Sequence, residues 1–597
     1  MDSHRSLSRR RALAIGVSAG LALDVSKSFA AAANTPSLKA TITLNGKSHD
    51  YAMRDGEDLG DFHSEIGGFI QRCVRTTRSD CPLIVYFRPD RDSERIEVVF
   101  ELGRIWNTQP AHLDAYSVTI TLGDEQHAAI EVPKHFWFSR WRWQSEPRPV
   151  VSKINDLIDQ KLLPPYKVEG GDLVGNTSPS APGAALPQAS NADHPKGLPG
   201  GGQIKLPDGG KITAQGNALG LGQKTPDTSG KNSAPDLTYS IMGSAGITRN
   251  MGQTGERPDI GMVTEYQGRY IVTGAADALA IVRAQAEGAG TVPWHMRDEK
   301  TGAPVDLNLY STMSWYGAHA DNPHVATLPS DILVESSHQP ALAYLPYILT
   351  GDPYHLEDLQ FAANWNRGGL PPDYRLTVPQ TRGFAWSMRT LAQAAKVTPA
   401  STPRWLLPRA YWIKELSEKL QWVTTAFVDN PDPLYRVFRV VGEISGRREE
   451  SPAAPAGSYF APWEDDFVAA VLGWIVLMGF EDWRKVFLWK LGSTLARTNG
   501  QSGWSRSWPS PYRFALRTGP TVPVVGSWAE AWKLNARLQD LEEGDTAHGD
   551  PVYMAYARAG LVMGVHCEVA AAQEPLQWIS SQIAQLNRPV AYKWQLA

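Results

Sequence analysis

The chain is poor in cysteine. Cys73, Cys81 and Cys567 are the only three in 597 residues. They form no C-x-x-C pair, no Cys/His zinc spacing and no C-x-x-C-H, which excludes a thiolate metal centre and covalent c-type haem. In an oxidising compartment Cys73 and Cys81 could close a short loop. The alternative is two free thiols, and spacing does not choose between them. An excess of one charge is also missing: Lys+Arg is 58 against Asp+Glu 62. No broadly basic surface follows, so nucleic acid is excluded as the expected partner. No later apolar run reaches the ~20 residues a bilayer requires; the best, Phe467 to Phe480, is too short for a membrane span. There is no P-loop, no G-x-G-x-x-G opening a helix and no H-E-x-x-H, and Gly243-Ser244-Ala245-Gly246 is not a nucleophile elbow. No metal and no cofactor are expected.

What is present is tryptophan, 21 residues, well above ordinary usage. Hydrophobic residues at 42% and charged residues at 20% mark a globular chain rather than wholesale disorder. At roughly 100–200 residues per domain, two to four domains are expected.

The first 33 residues read as an address. A basic start (Arg5, Arg9, Arg10, Arg11) precedes a weakly apolar stretch from Ala12 to Leu23, and Phe29-Ala30-Ala31-Ala32-Ala33 suits small-residue cleavage. Ser8-Arg9-Arg10-Arg11-Ala12-Leu13 resembles the bacterial twin-arginine signal, departing from it at Ala12. The resemblance implies the twin-arginine export machinery as a partner and a periplasmic or secreted mature protein. That route carries folded chains, so it does not by itself imply a cofactor.

The remainder reads as multidomain α+β. Residues 34–168 alternate as strands, including Ala40–Leu44, Leu83–Phe87, Arg95–Leu102 (RIEVVFEL) and Tyr116–Leu122, separated by turn residues such as Asp90-Arg91-Asp92 and Gly123-Asp124. This predicts an N-terminal antiparallel, sandwich-like β domain. Residues 169–236 are dominated by Gly, Pro, Ser, Ala and Asn and predict a disordered linker. Residues 237–597 carry apolar spacing near 3.6, which predicts helices over 269–287, 340–349, 383–397, 409–427, 465–478, 483–497, 527–541, 551–562 and 575–586. So many helices without a fixed period predict an α/α-toroid-like domain rather than a bundle or regular solenoid.

The densest polar-aromatic stretch is 294–386, which holds five of the fourteen histidines. His338-Gln339-Pro340 opens a predicted helix, with Tyr344 about one turn in. A His and a Tyr in one pocket suit β-elimination of a uronate polymer: one removes the C5 proton and the other protonates the leaving oxygen. Arg382 would neutralise the uronate carboxylate by a bidentate contact. A helix-capping His338 is the plainer alternative. Pro462-Trp463-Glu464-Asp465-Asp466 is the second cluster. Acids there complement a helix N-terminus, or Glu464 and Asp466 supply carboxyls for glycoside hydrolysis, opposite an acid such as Asp331 or Glu335. Trp315, Trp386, Trp463, Trp504 and Trp508 are candidate sugar-stacking platforms, with interhelical packing as the alternative.

The stretch from Tyr344 to Ala395 (YLPYILTGDPYHLEDLQFAANWN, then QTRGFAWSMRTLAQAA) resembles the helix-hairpin repeats of α/α-toroid glycan-degrading proteins, the alginate- and heparin-lyase-like and rhamnogalacturonan-lyase-like groups. The β domain precedes the toroid here, whereas it follows it in many such lyases. The resemblance implies a carbohydrate-active protein, lyase or hydrolase, acting on a polysaccharide or oligosaccharide, with His338 and Tyr344 as acid and base and Arg382 as clamp. A non-catalytic glycan-binding protein and an envelope-assembly or interaction protein remain the alternatives.

Overall fold

The computed structural model describes residues 37–106, 112–169, 203–205, 211–213, 237–252, 257–311, 313, 332–368, 380–441, 444–445, 458–519, 522–535, 551–586 and 589–597. The export address, Trp315 and Asp331 lie outside these residues. So does most of 169–236, where two short strands, Gln203–Lys205 and Lys211–Thr213, pair antiparallel.

Strand β1 (Leu38–Leu44) and β2 (Lys47–Ala52) are joined by Asn45-Gly46, both at positive φ (52° and 74°). Asn-Gly adopts this conformation at low cost, and the tight hairpin follows. With β8 (Tyr116–Leu122) and β9 (Glu125–Val132) it forms a sheet ordered β2-β1-β8-β9. A second sheet is ordered β11-β6-β5-β4-β3, from β3 (Glu57–His63), β4 (Ile70–Thr77), β5 (Ile84–Pro89), β6 (Ile96–Leu102) and β11 (Ser139–Gln144). All pairings are antiparallel.

The period-2 alternation sorts the five-stranded sheet onto two buried faces. Val85, Phe87, Val98, Phe100 and Trp141 pack with Ala40, Ile42, Val118 and Ile120 of the other sheet. Tyr86 and Val99 point the opposite way and join the helical core. That second face also carries Arg88, Glu97, Glu101, Arg140 and Arg142, all buried. Cys73 belongs to the helical core and Cys81 to the sandwich core, and both are free thiols, so the loop-closing disulfide does not form.

Thirteen α-helices are found among the described residues. The short α1 (Ile154–Asp159) lies inside the segment read as strands. Where one helix was expected over 269–287, Gly274 at φ 67° ends α2 (Glu265–Thr273) and α3 (Ala276–Gly288) begins. Then come α4 (Tyr344–Thr350), α5 (Pro353–Gly368), α6 (Thr381–Val397), α7 (Arg409–Val423), α8 (Pro433–Arg436), α9 (Pro462–Leu477), α10 (Arg484–Thr498) and α11 (Trp528–Leu534). Helices Pro551–His566 and Gln573–Gln585 complete the set. Helix α9 is central, packed by α6, α10 and Pro551–His566. A Cβ at Gly473 would stand 2.4 Å from the Met563 Cβ, so only glycine permits that close a crossing. No helix among the described residues is long and apolar enough to cross a membrane.

The sheet and the helices are not separate bodies. Helix α5 lies across the charged face of the sheet. Arg88 donates to Glu357 at 2.8 Å, Arg297 at 2.6 Å, and Arg140 pairs with it as well. Asp358 accepts from Arg140 at 2.7 Å and pairs with His295. Arg142 bridges Glu97 at 2.6 Å and Asp352 at 2.7 Å. Near the other end of the chain, the Tyr166 hydroxyl donates to the Lys593 carbonyl at 2.8 Å, and the Ala597 amide donates to the Pro165 carbonyl at 2.6 Å.

Candidate functional site

His338 closes a single 3-10 turn, Ser336–His338, that α6 packs against. Two guanidiniums fix the turn from behind. Arg257 donates to the His338 carbonyl at 3.2 Å, and Arg389 to the Gln339 carbonyl at 2.9 Å. Gln339 in turn donates to the Ala362 carbonyl at 2.8 Å. Arg389 and Arg382 stand two helical turns apart on one face of α6, so the helix that anchors the turn also carries Arg382 beside it.

The Glu335 carboxylate bonds the Nδ1 of His338. A carboxylate accepts, so Nδ1 carries the proton and Nε2 presents its lone pair. Among the described residues Nε2 has no partner. Burial holds the imidazole below its ordinary pKa, and the Arg382 charge pushes the same way against the Glu335 bond. His338 is therefore neutral near pH 7, oriented, and able to accept a proton.

Arg382 and Glu464 are the second pair. Helix α9 starts at Pro462 and sets Glu464 in its first turn. The Glu464 Oε1 lies 3.0 Å from the Arg382 Nε, yet off the line of the N–H, so the contact is one of charge without a hydrogen bond. Both Nη groups of Arg382 lack partners among the described residues, although the residue is only 8% exposed. Burial pushes the Glu464 carboxyl above its ordinary pKa, and Arg382 offsets part of that. The guanidinium lies 5.4 Å over the Trp463 ring. That ring stacks on Tyr553 at 5.6 Å and on Tyr512 at 6.0 Å. Tyr512 is 43% exposed, so an aromatic column leads from the buried charges to the surface.

The other expected site residues are elsewhere. Tyr344 is not part of this cluster: α4 turns it into the helical core, where its hydroxyl donates to the Leu162 carbonyl at 2.7 Å and its ring meets Trp474 edge-on. Burial holds that phenol far above its ordinary pKa, so it is a poor proton donor or acceptor. Asp466 does not pair with Glu464. It accepts from Thr494 at 2.7 Å, Arg497 at 2.5 Å and Ser510 at 3.0 Å, and it is fully buried. Asp465 is held by Lys490. Successive residues on a helix point about 100° apart, which is why these three neighbouring acids diverge. Trp386 is wholly buried against Phe467 rather than lining a cleft. Trp504 is also interior, packed on Phe514, Trp528 and Trp532, and its indole N–H is capped by the Trp508 carbonyl at 2.9 Å. Trp508 is half-buried.

Sequence reasoning assigned no function to Arg257, Arg389, Tyr512 or Tyr553. No local signal marks an arginine that braces a turn from another element. The Glu335–His338 spacing of three was visible. Among the described residues no group of three or more His, Cys, Asp or Glu side chains could hold a metal ion.

No family model matches the chain, and no curated protein matches it. A solved structure described as a polysaccharide lyase matches with a TM-score of 0.30 at 13% identity, over 54% of this chain and 75% of that one. The two backbones diverge too far for this likeness to bear on fold or activity.

Proposed function

We propose that the chain is an exported carbohydrate-active enzyme that cleaves a uronate-bearing polysaccharide by β-elimination at His338. The observation that carries this reading is the buried Arg382, with both Nη groups unpartnered beside a neutral, carboxylate-oriented histidine. The Nη pair binds the uronate carboxylate bidentately and withdraws charge from it, which acidifies the proton on C5. His338 Nε2 takes that proton. The C5–H electron pair becomes the C4=C5 double bond as the C4–O4 bond breaks. Glu464, its protonated form favoured by burial, donates its proton to O4 of the leaving chain. Trp463, Tyr553 and Tyr512 offer ring faces to the neighbouring sugars.

Elimination is favoured over hydrolysis because hydrolysis needs two carboxyls flanking the sugar. Glu335 is committed to His338 and Asp466 is wholly buried among Thr494, Arg497 and Ser510, so among the described residues of the cluster Glu464 stands alone as an open carboxyl. In this reading the helices following α4 form an incomplete α/α toroid around the site, and the mature protein works in the periplasm. The test is incubation of the mature protein with uronate-containing and neutral glycans while the ultraviolet absorbance of unsaturated products is followed. Activity on uronate chains that vanishes in His338→Ala is the expected result. Equal rates in the variant overturn the reading. The Trp463–Tyr553–Tyr512 column favours a second reading, a glycan-binding protein without catalysis, in which His338→Ala leaves glycan affinity intact and no product forms in either protein.

A further inference from the structure

A cleft of about 500 Å³ opens at the opposite end of α6 from Arg382, within the roughly 300–1,000 Å³ typical of small-ligand sites. Lys396, in the last turn of α6, lines it. Fourteen residues of helix separate it from Arg382, about 21 Å at ~1.5 Å per residue. The other walls come from the Glu65-Ile66 loop, the α1 region from Val151 to Leu162, α4 and the start of α7. The cleft therefore lies on the seam between the sheets and the helices.

Its lining is chemically mixed. Lys396 and Arg409 repel one another electrostatically, and neither has a carboxylate partner among the described residues. Lys396 uses one N–H on the Met478 carbonyl at 2.7 Å and keeps two. Lys153 is exposed and unpaired beside them. Two neighbouring cations with no described carboxylate within ion-pair distance of either cost free energy, and a bound anion relieves it. Glu65 and Asp156 also line the cleft without an ion-pair partner, and Ser152, Gln160 and Thr398 add hydrogen-bonding groups. Free carboxylates accept from the hydroxyls of a sugar, while Lys153, Lys396 and Arg409 outnumber them and leave the lining net cationic. Leu157, Ile66 and Ile348 supply apolar floor.

We propose that this cleft is a second carbohydrate-binding site, separate from the His338 cluster, which takes an acidic sugar: a carboxylate on Lys396 and Arg409, hydroxyls on Glu65 and Asp156, and C–H faces on the apolar floor. The assignment rests on the cleft's own lining and stands whether or not His338 is catalytic.

The test is calorimetric titration of the mature protein with digalacturonate, and with maltose as the neutral control. Lys396→Gln/Arg409→Gln removes the cleft's charge. Arg382→Gln removes the other site's clamp. Ala400→Trp, an exposed position at the cleft, blocks it without touching the charges. Circular dichroism and melting confirm that each variant is folded. The expected result is two digalacturonate sites: one that weakens at least tenfold in the double variant and in Ala400→Trp, survives in Arg382→Gln and weakens with added salt, and a second that is lost in Arg382→Gln alone. If binding survives the double variant and Ala400→Trp but is lost in Arg382→Gln, the cleft assignment falls while the His338 site stands. Binding lost only in the cleft variants supports the cleft and counts against Arg382 as a carboxylate clamp. Equal binding of maltose, or no binding in any folded protein, overturns the cleft assignment.

Discussion

Two groups of buried charge invite comparison. On the seam between sheet and helix, Glu357 is met by Arg88, Arg140 and Arg297, and Asp358 by Arg140 and His295. At the start of α6, Arg382 meets Glu464 off-line and, among the described residues, leaves both Nη groups open, while His338 leaves Nε2 open. Both groups are desolvated, and both perturb proton affinities. They differ in pairing: each seam arginine donates in line to the Glu357 carboxylate, whereas Arg382 makes no in-line bond to a carboxylate among the described residues. A buried ion pair whose neighbours are all protein groups holds elements in register and offers nothing to a ligand. A buried guanidinium with free donors is costly to keep, and a ligand that completes it recovers that cost. The distinction tells scaffold from site where burial and charge alone do not.

The sharpest way to break the comparison is at His338. His338→Ala is expected to lower turnover by ~10²–10⁴-fold, the usual contribution of a positioned acid or base, with stability changed by about 1 kcal/mol or less. Parallel rate and melting measurements check it. A stability loss with unchanged rate would return His338 to the role of a structural cap. On the seam the effect should invert. Glu357→Gln leaves three guanidiniums around a neutral amide and is expected to cost about 3–5 kcal/mol of stability, read by denaturant unfolding, with turnover per folded molecule retained. Next in size is Arg382→Lys, which keeps the charge but loses the planar fork. Roughly tenfold or greater loss of kcat/KM on uronate chains is expected, with little change in melting. Equal loss on neutral glycans would deny Arg382 its carboxylate partner.

Acidity separates the two groups as well. Burial disfavours ionised Glu357 and Asp352, but the surrounding arginines win and hold both carboxyls far below their ordinary values. A carboxyl depressed in the folded state contributes stability above its unfolded pKa of about 4, lost as pH falls. Unfolding should therefore set in below about pH 4. At the site, His338 must be neutral, with its pKa lowered from 6.5, and Glu464 protonated, with its pKa raised from 4.5. The kcat/KM profile should be a bell whose acid limb follows protonation of His338 and whose alkaline limb follows ionisation of Glu464. A plateau extending above pH 8 would exclude Glu464 as the proton donor. The smallest effect concerns the chain between the bodies. Brief proteolysis should cut first within 169–236, as composition predicts. The fragments should co-elute on gel filtration, because the seam and shared cores hold them together. Release of a free helical fragment would contradict the seam.

Much of the fold was legible. Alternation in Ala40–Leu44 and Tyr116–Leu122 marks strands, and spacing near 3.6 in 383–397 and 483–497 marks helices within two residues of their ends. Helix α5 was missed among the helices because every residue in it but Arg367 is buried. Its polar residues, among them Glu357, Asp358, Gln360 and Asn364, are buried against protein partners instead of facing water, so no single apolar stripe opposite a solvated face marks it. RIEVVFEL is a strand, as its alternation predicts, but its pattern does not show what the polar side faces. Its Glu97 and Glu101 look like a solvated face, yet both are fully buried against Arg142 and Arg297. At the site, Arg382 meets Glu464 and Trp463, and its charge reaches His338, whereas Tyr344, Asp466, Trp386 and Trp504 face inward. Residue type and spacing nominated all eight alike. Which way each side chain points is decided by packing between elements far apart in sequence, and local pattern does not carry that information.

The contact of Tyr166 with Lys593 spans 427 positions. At ~5–20 residues per second of synthesis, about 20–85 s pass between the appearance of the first partner and the second. Across that interval the face of α1 waits for a strap that the ribosome has yet to make, and native closure is necessarily a late event of high contact order. Shortening the chain by its final eight residues therefore removes a latch rather than a loose end. A chain with such a latch must complete its fold on the side of the membrane where it is synthesised if the Ser8–Leu13 address delivers it as a folded cargo.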